Sequence, residues 1–95
     1  MMRATFATFA LLASTPALAS HYVAQPAAKP AQAKIVVRDL IWSCGDTGCS
    51  AAKNGSRPAI VCASLAKEVG KLESFSVAGA ALGPAELEKC NARAD

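Results

Sequence analysis

The sequence predicts a small α+β domain with the element order ββαβα, held together by two disulfides. A β-branched and aromatic run from Ile35 to Cys44 is followed by a glycine-rich turn and, further along, by a segment with helical periodicity. The chain has 95 residues and four cysteines. Because a chain this short buries little surface, we expect crosslinks between cysteines to supply a large share of its stability.

The first 19 residues have the pattern of a signal peptide. A short charged region ends at Arg3, an apolar stretch covers residues 4–13, and residues 17–19 supply the small-x-small site of the peptidase. The apolar stretch is too short to span about 30 Å of hydrocarbon. We therefore expect cleavage between Ala19 and Ser20, and a periplasmic or secreted mature protein without stable membrane insertion.

Residues 20–34 are rich in Ala, Pro and Gln and show no apolar periodicity. Pro26 and Pro30 favour extended backbone before them. We expect a flexible tail here, with the alternative that its last residues extend the first strand. The folded four-cysteine domain is then predicted to span residues 35–95.

The run from Ile35 to Cys44 is predicted to be one strand, apolar on both faces and suited to the centre of a sheet. The segment Gly45–Gly48 has turn chemistry, because glycine permits positive φ and Asp46 can bond to nearby backbone. Residues 49–53 are predicted to return as a short second strand that closes a hairpin.

A helix is predicted after Arg57, with Pro58 near its first position and Ser56 as a possible cap. Gly70 suits the position just after its last turn. The apolar face of this helix comprises Val61, Cys62, Leu65, Ala66 and Val69.

A second long strand is predicted over residues 72–78, with Phe75 on one face and Glu73 at the exposed end. A final helix begins at Gly83-Pro84, where proline suits the first helical position. Cys90 lies one turn after Leu87 on the same helical face.

The four cysteines allow three connectivities, and the even number in a chain with an export signal indicates disulfides. We favour Cys44–Cys49 across the hairpin turn and Cys62–Cys90 between the two helices. The competing pairing joins Cys44 or Cys49 to Cys62 and would tie the hairpin to the first helix.

Metal and redox roles have weaker support. Zinc sites usually repeat a close cysteine pair or add histidines, whereas this chain has one close pair, and its only histidine, His21, lies in the predicted tail. A catalytic redox pair usually has the spacing C-x-x-C at a helix N-terminus. After cleavage, the Ser20 amine beside His21 could chelate Cu(II). We expect no bound metal or cofactor.

Catalytic patterns are also missing from the sequence. Asp39 and Asp46 could be taken as an acid/base pair, but no second catalytic partner is visible, and no histidine follows residue 34 to complete a Ser-His-Asp triad. No serine lies in a G-x-S-x-G context, and no phosphate-binding loop is present. We expect no catalytic residues and no enzymatic activity.

The charge of the predicted domain excludes strong attraction to nucleic acid. Of the ten basic residues, Arg3, Lys29 and Lys34 precede Ile35, which leaves seven against seven acidic residues. A neutral domain has no basic stripe to bind phosphates along a nucleic acid. Trp42 is interpreted as a core residue, with an exposed anchor for a partner as the alternative.

The chain resembles a family of small exported bacterial proteins that is catalogued as uncharacterised. The resemblance covers Ile35 to Ala94 and is carried by Trp42-x-Cys44, Cys49, Ser56-Arg57-Pro58, Cys62-x-x-Leu65, Val69-Gly70-Lys71, Phe75, Gly79 and Cys90-Asn91. It implies a periplasmic or secreted four-cysteine module. It implies no activity, cofactor or catalytic residue.

From these observations we expect a non-enzymatic, disulfide-stabilised protein that binds another protein or an envelope component. One alternative is a metal- or redox-handling envelope protein that uses Cys44 and Cys49 or His21. Another is a small inhibitor of an exported enzyme, which would present the Gly45–Gly48 turn.

Overall fold

The computed structural model describes residues 20–94, and the predicted signal peptide lies outside this range. These residues form one antiparallel six-stranded sheet with two helices, and the predicted class, a small α+β domain with two disulfides, is confirmed. The predicted order ββαβα was wrong, because the described residues form six strands and two helices in the order ββββαββα. The elements are β1 Tyr22–Pro26, β2 Lys34–Val37, β3 Leu40–Gly45, β4 Gly48–Ala51, α1 Pro58–Val69, β5 Leu72–Val77, β6 Ala80–Ala81 and α2 Pro84–Asn91. The strand order across the sheet is β2-β3-β4-β1-β5-β6.

The central strand, β1, comes from the segment that the composition assigns to a flexible tail. It pairs with β4 on one side and with β5 on the other, and Tyr22 and Ala24 are buried. Residues 22–26 therefore belong to the sheet, although the folded domain was predicted to begin at residue 35. The sequence signal is weak because only Tyr22 and Val23 favour strands, and Pro26 ends the run after five residues.

The run from Ile35 to Cys44 is not one strand but a hairpin of β2 and β3. Val37 and Leu40 are direct partners, so Arg38 and Asp39 form a two-residue turn, and Arg38 has a φ of 59°. A single strand would place Val37 and Leu40 on opposite faces. The turn places both on the same face, where both are buried. Because the turn contains no glycine or asparagine, the usual signal for a hairpin is missing.

Strand β5 contains an irregularity that lets two apolar residues face the core. Gln25 pairs with Ser74 and Pro26 pairs with Leu72, so Glu73 has no partner in the ladder. This bulge restores Leu72 and Phe75 to the same face despite their odd spacing. The short strand β6 follows a turn in which a non-glycine residue, Ala78, has a φ of 52° and Gly79 a φ of 86°.

Helix α1 begins at Pro58 and ends before Gly70, as its sequence pattern predicts. Its N-cap residue is Arg57 rather than Ser56, and no side chain caps the helix. Gly70 has a φ of 92° and its N–H donates to the carbonyl of Ala66, which closes the last turn. The buried face consists of Val61, Cys62, Leu65 and Ala66.

The core is a single apolar layer between one face of the sheet and the two helices. At its centre the rings of Tyr22, Trp42 and Phe75 lie with their centroids about 6 Å apart, one ring from each of β1, β3 and β5. Each of the three side chains is no more than 1 % exposed. Burying a large side chain contributes about 1.5–3 kcal/mol, so the ring from β1 is a substantial part of this small core.

The end of α2 is fixed to the start of β5 by one side-chain amide. Asn91 accepts a hydrogen bond from the backbone N–H of Leu72 at 2.8 Å and donates one to the carbonyl of the same residue at 2.8 Å. The side chain thus replaces a strand partner for a fully buried residue.

The other face of the sheet carries small and polar side chains. Partner residues in the register form one row across all six strands, Lys34, Ser43, Ser50, Val23, Ser76 and Ala81. The apolar partners Val36 and Ile41 lie beside this row and are more than half exposed. This alternation is expected for an antiparallel sheet covered on one side.

The burial of Tyr22 predicts that the N-terminal segment is part of the folded domain. We expect Tyr22→Ala to lower the free energy of unfolding by about 3–5 kcal/mol, because it removes a fully buried ring. The matched Tyr22→Phe variant keeps the ring and loses only the contact between the hydroxyl and Asn54, so it should cost about 1 kcal/mol or less. Urea unfolding of the oxidised domain measures both, and equal small losses would contradict a structural role for β1.

Gly48 predicts a second difference in stability. A Cβ atom at Gly48 would lie 2.6 Å from the carbonyl oxygen of Ala24, and the φ of Gly48 is 120°. We expect Gly48→Ala to destabilise the domain by about 1–3 kcal/mol through strain and crowding between β4 and β1. Gly45→Ala is the control, because nothing lies within 4 Å of a Cβ there. Thermal unfolding that ranks the two variants equally would refute the close approach.

Candidate functional site

The segment from Cys44 to Cys49, which contains two cysteines and Asp46, forms the closed end of the β3–β4 hairpin. Cys44 and Cys49 are direct cross-strand partners and are joined by a disulfide, with Cys49 buried and Cys44 half-buried. Lys29 forms an ion pair with Asp46, and the Gln25 side-chain amide donates to the carbonyl of Thr47. Both tip residues are exposed and each contacts a neighbouring segment, while the disulfide joins the two strands at the base of the turn.

The second disulfide joins Cys62 on α1 to Cys90 on α2. Both cysteines are buried in the core cluster, at 0 % and 4 % exposure. Both bonds follow the favoured connectivity, and together they account for all four cysteines of the sequence. They connect elements on the helix-covered face of the sheet.

The remaining candidates from the sequence do not form one site. Trp42 is 1 % exposed and lies in the core, where it cannot anchor a partner. Asp39 lies in the β2–β3 turn and Asp46 in the β3–β4 turn, at opposite ends of β3. A strand of six residues is about 20 Å long, so these two carboxylates are too far apart to act on one bond.

His21 lies directly before β1 and is not part of a tail. Its backbone N–H donates to the carbonyl of Ala51, and its carbonyl accepts from the N–H of Ala78. Its ring meets the ring of Tyr22 edge to face, with centroids 4.7 Å apart. Between residues 20 and 94, no group of three or more His, Cys, Asp or Glu side chains is arranged to hold a metal ion.

The structure instead brings together basic residues that are far apart in the sequence. Arg38, Lys67 and Arg93 line one open depression of about 250 Å³ together with Ile60, Ala63 and Ser64. We call this feature the cationic depression. It is positioned by the β2–β3 turn, by α1 and by the chain that follows α2.

Each element contributes to the cationic depression for a local reason. Ile60, Ala63, Ser64 and Lys67 lie on one face of α1 because their spacing follows the helical period. Arg38 reaches it because the two-residue turn ends β2 at that point. The disulfide at Cys90 holds the end of α2 against α1, which places Arg93 three residues beyond that bond.

The lining of the cationic depression is rich in basic residues. Its lining contains three positive side chains and a hydroxyl, and no acidic side chain of the described residues. Within residues 20–94 the structure contains one ion pair, between Lys29 and Asp46 of the β3–β4 turn. Arginine and lysine bind anionic oxygens through charge-assisted hydrogen bonds, which are stronger than neutral ones.

Sequence reasoning missed the cationic depression because its members are separated by 29 and 26 positions. Counting charges gave a neutral domain, and a neutral total says nothing about where each charge lies. The one local signal was the position of Ser64 and Lys67 on the polar face of α1. That face did not reveal which residues from other elements lie beside it.

The two disulfides predict unequal losses of stability on removal. Loop-closure entropy assigns about 3.6 kcal/mol to Cys62–Cys90 and about 2.2 kcal/mol to Cys44–Cys49, because the first closes the longer loop. We expect the double variant Cys62→Ala/Cys90→Ala to lose more free energy of unfolding than Cys44→Ala/Cys49→Ala. Denaturant titration of both variants tests this order, and a reversed order would contradict it.

No helix within residues 20–94 is long and apolar enough to cross a membrane. Neither a curated protein nor a solved structure matches this sequence. A family described as being of unknown function, DUF8200, matches residues 5–92, which include every strand and helix described above. The chain belongs to this family of unknown function, DUF8200.

Proposed function

We propose that this protein is an exported, non-enzymatic binding module whose working surface is held rigid by its two disulfides. The observation that carries the proposal is the composition of the interior. Every buried residue between positions 20 and 94 belongs to an apolar core, with no buried polar or charged side chain. The groups available for recognition therefore lie on the surface, on a backbone fixed by Cys44–Cys49 and Cys62–Cys90.

Export is supported by the signal pattern of residues 1–19 and by the paired cysteines. Disulfides form and persist in oxidising compartments, and they are rare in the reducing cytosol. The position of β1 adds to this support. Cleavage after Ala19 would leave a chain that begins two residues before Tyr22, the first residue of the central strand. The predicted mature chain thus contains the complete sheet.

A binding role accounts for the surface better than a catalytic one. Catalytic acids and bases usually sit in clefts where burial changes their protonation behaviour. The acidic residues Asp39 and Asp46 lie in exposed turns, and the three cations of the cationic depression have no acidic partner in its lining. Such an arrangement can hold an anion but offers no acid/base pair to act on it.

The alternatives rest on features that the fold uses structurally. A redox role would use Cys44 and Cys49, which cross-link two partner strands next to a tight turn. A copper-binding role would use His21, whose backbone is hydrogen-bonded to Ala51 and Ala78 next to the start of the central strand. An inhibitor would present Asp46 and Thr47, both of which are fastened to neighbouring segments. The surface binding role requires no such second use of these residues.

The proposal predicts the state of the protein in the cell that makes it. We expect the mature protein in the periplasmic or secreted fraction. Its intact mass should be that of a chain whose first residue is Ser20. We also expect no thiol to react under denaturing conditions before reduction, and all four cysteines to react afterwards.

A matched pair of variants separates processing from folding. Ala19→Leu places a large residue in the small-x-small site and should slow cleavage, whereas Ser20→Ala should be processed normally. An unprocessed cytoplasmic protein with four reactive thiols would overturn the proposal.

A further inference from the structure

We propose that the cationic depression binds a phosphate monoester, carried by a small molecule or by a lipid headgroup. This inference deepens the proposed function and rests on it, since it names the chemical class that the binding module recognises. It depends on the convergence of Arg38, Lys67 and Arg93 on one depression of about 250 Å³.

The number of positive charges selects among possible anions. A carboxylate or a phosphate diester carries one negative charge, whereas a phosphate monoester carries about −1.5 to −2 at pH 7. The positive charges of two guanidinium groups and one ammonium group match the charge of a phosphate monoester more closely than the single charge of a carboxylate or a diester. Arginine can donate two parallel hydrogen bonds to phosphate oxygens, and lysine adds a point charge.

The remaining lining residues fit the rest of such a ligand. The hydroxyl of Ser64 can donate a hydrogen bond to a phosphate oxygen. Ile60 is 41 % exposed and lies beside Ala63, so the depression also offers an apolar contact for the group that carries the phosphate. An anionic head with an apolar attachment therefore satisfies both parts of the surface.

The backbone at Arg38 supplies an independent observation. Its φ of 59° lies in the left-handed region, where asparagine and glycine are found with less strain. The side chain of Arg38 also lines the cationic depression. Strained residues concentrate at functional sites, where the side chain has a use that offsets the strain. Placement of a guanidinium group in the cationic depression is such a use.

The test is a titration of the oxidised domain from Ser20 to Asp95, followed by amide chemical shifts. It is performed at low ionic strength, because salt screens exposed charges. Inorganic phosphate and glycerol 3-phosphate should give saturable shifts centred on Arg38, Ser64, Lys67 and Arg93. Acetate at the same concentrations should bind at least about tenfold more weakly, because it carries a single charge.

Three variants decide whether the binding belongs to this site. Arg38→Asn and Lys67→Gln should each weaken phosphate binding by about tenfold or more. Lys53→Gln removes the same charge from an exposed position outside the cationic depression, and it should change affinity by less than about twofold. Arg38→Asn should also raise the melting temperature, since asparagine suits the turn. Weaker binding in that variant then cannot be due to unfolding.

Vesicles distinguish the two sources of the phosphate. Retention on vesicles that contain phosphatidic acid, but not on vesicles that contain phosphatidylglycerol, would assign the monoester to a lipid headgroup. Binding of glycerol 3-phosphate without retention on either vesicle would assign it to a small molecule.

Three results would overturn the inference. They are shifts that do not saturate, equal binding of acetate, and unchanged phosphate affinity in Arg38→Asn. None of these depends on where the protein is located in the cell. Failure of the phosphate site can therefore be told apart from failure of the export proposal, which the thiol count and the processed mass decide.

Discussion

The insertion of β1 between β4 and β5 is the interaction on which the rest of the sheet depends. Without it, the β2–β3–β4 unit and the β5–β6 hairpin share no hydrogen-bonded neighbour. Neither disulfide replaces this connection, because Cys44–Cys49 lies within the first unit and Cys62–Cys90 joins the helices. The two units of the sheet are held together by backbone pairing and by the aromatic contact of Tyr22 with Trp42 and Phe75. The disulfides stabilise a sheet that the N-terminal strand completes.

This arrangement has a kinetic consequence for a chain that emerges N-terminus first. Tyr22 pairs with Val77, which lies 55 positions later, so the central strand is provided early and its partner arrives late. Contacts of such long sequence separation have a large entropic cost and form slowly. Until β5 is available, the edge of β1 that will face it is unpaired, and an unpaired edge favours aggregation. After Cys90 has emerged, its disulfide with Cys62 favours the pairing of β5 with β1, because it limits the freedom of the segment that contains β5.

Local sequence signals predicted the elements whose ends are marked by particular residues. They failed where an element forms because of contacts with distant segments. Helix α1 was predictable because Pro58 and Gly70 mark its ends and its apolar face repeats at the helical period. Strand β1 was missed because Ala24 becomes a core residue only when neighbouring strands close over it. The β2–β3 turn was missed because an arginine is unusual at the positive φ of Arg38. The turn is stabilised by the burial of Val37 and Leu40 on one face, which local sequence does not reveal.

Local sequence signals are limited in the same way for charge, because they do not show which charged residues become neighbours in the fold. Counted from residue 35 the charges cancel, but the folded domain also includes Lys29 and Lys34, so residues 20–95 carry nine basic and seven acidic residues. Such a count is a sum, whereas recognition depends on which charges become neighbours. Asp46 is paired with Lys29 in another turn, whereas Arg38, Lys67 and Arg93 line one depression that has no acidic residue of the described chain in its lining. A local excess of positive charge in a protein of small net charge acts over roughly a Debye length of 8–10 Å, so it can select a compact anion without attracting extended polyanions. A small net charge is therefore compatible with the proposed anion site, and the two together favour a ligand with a single concentrated charge.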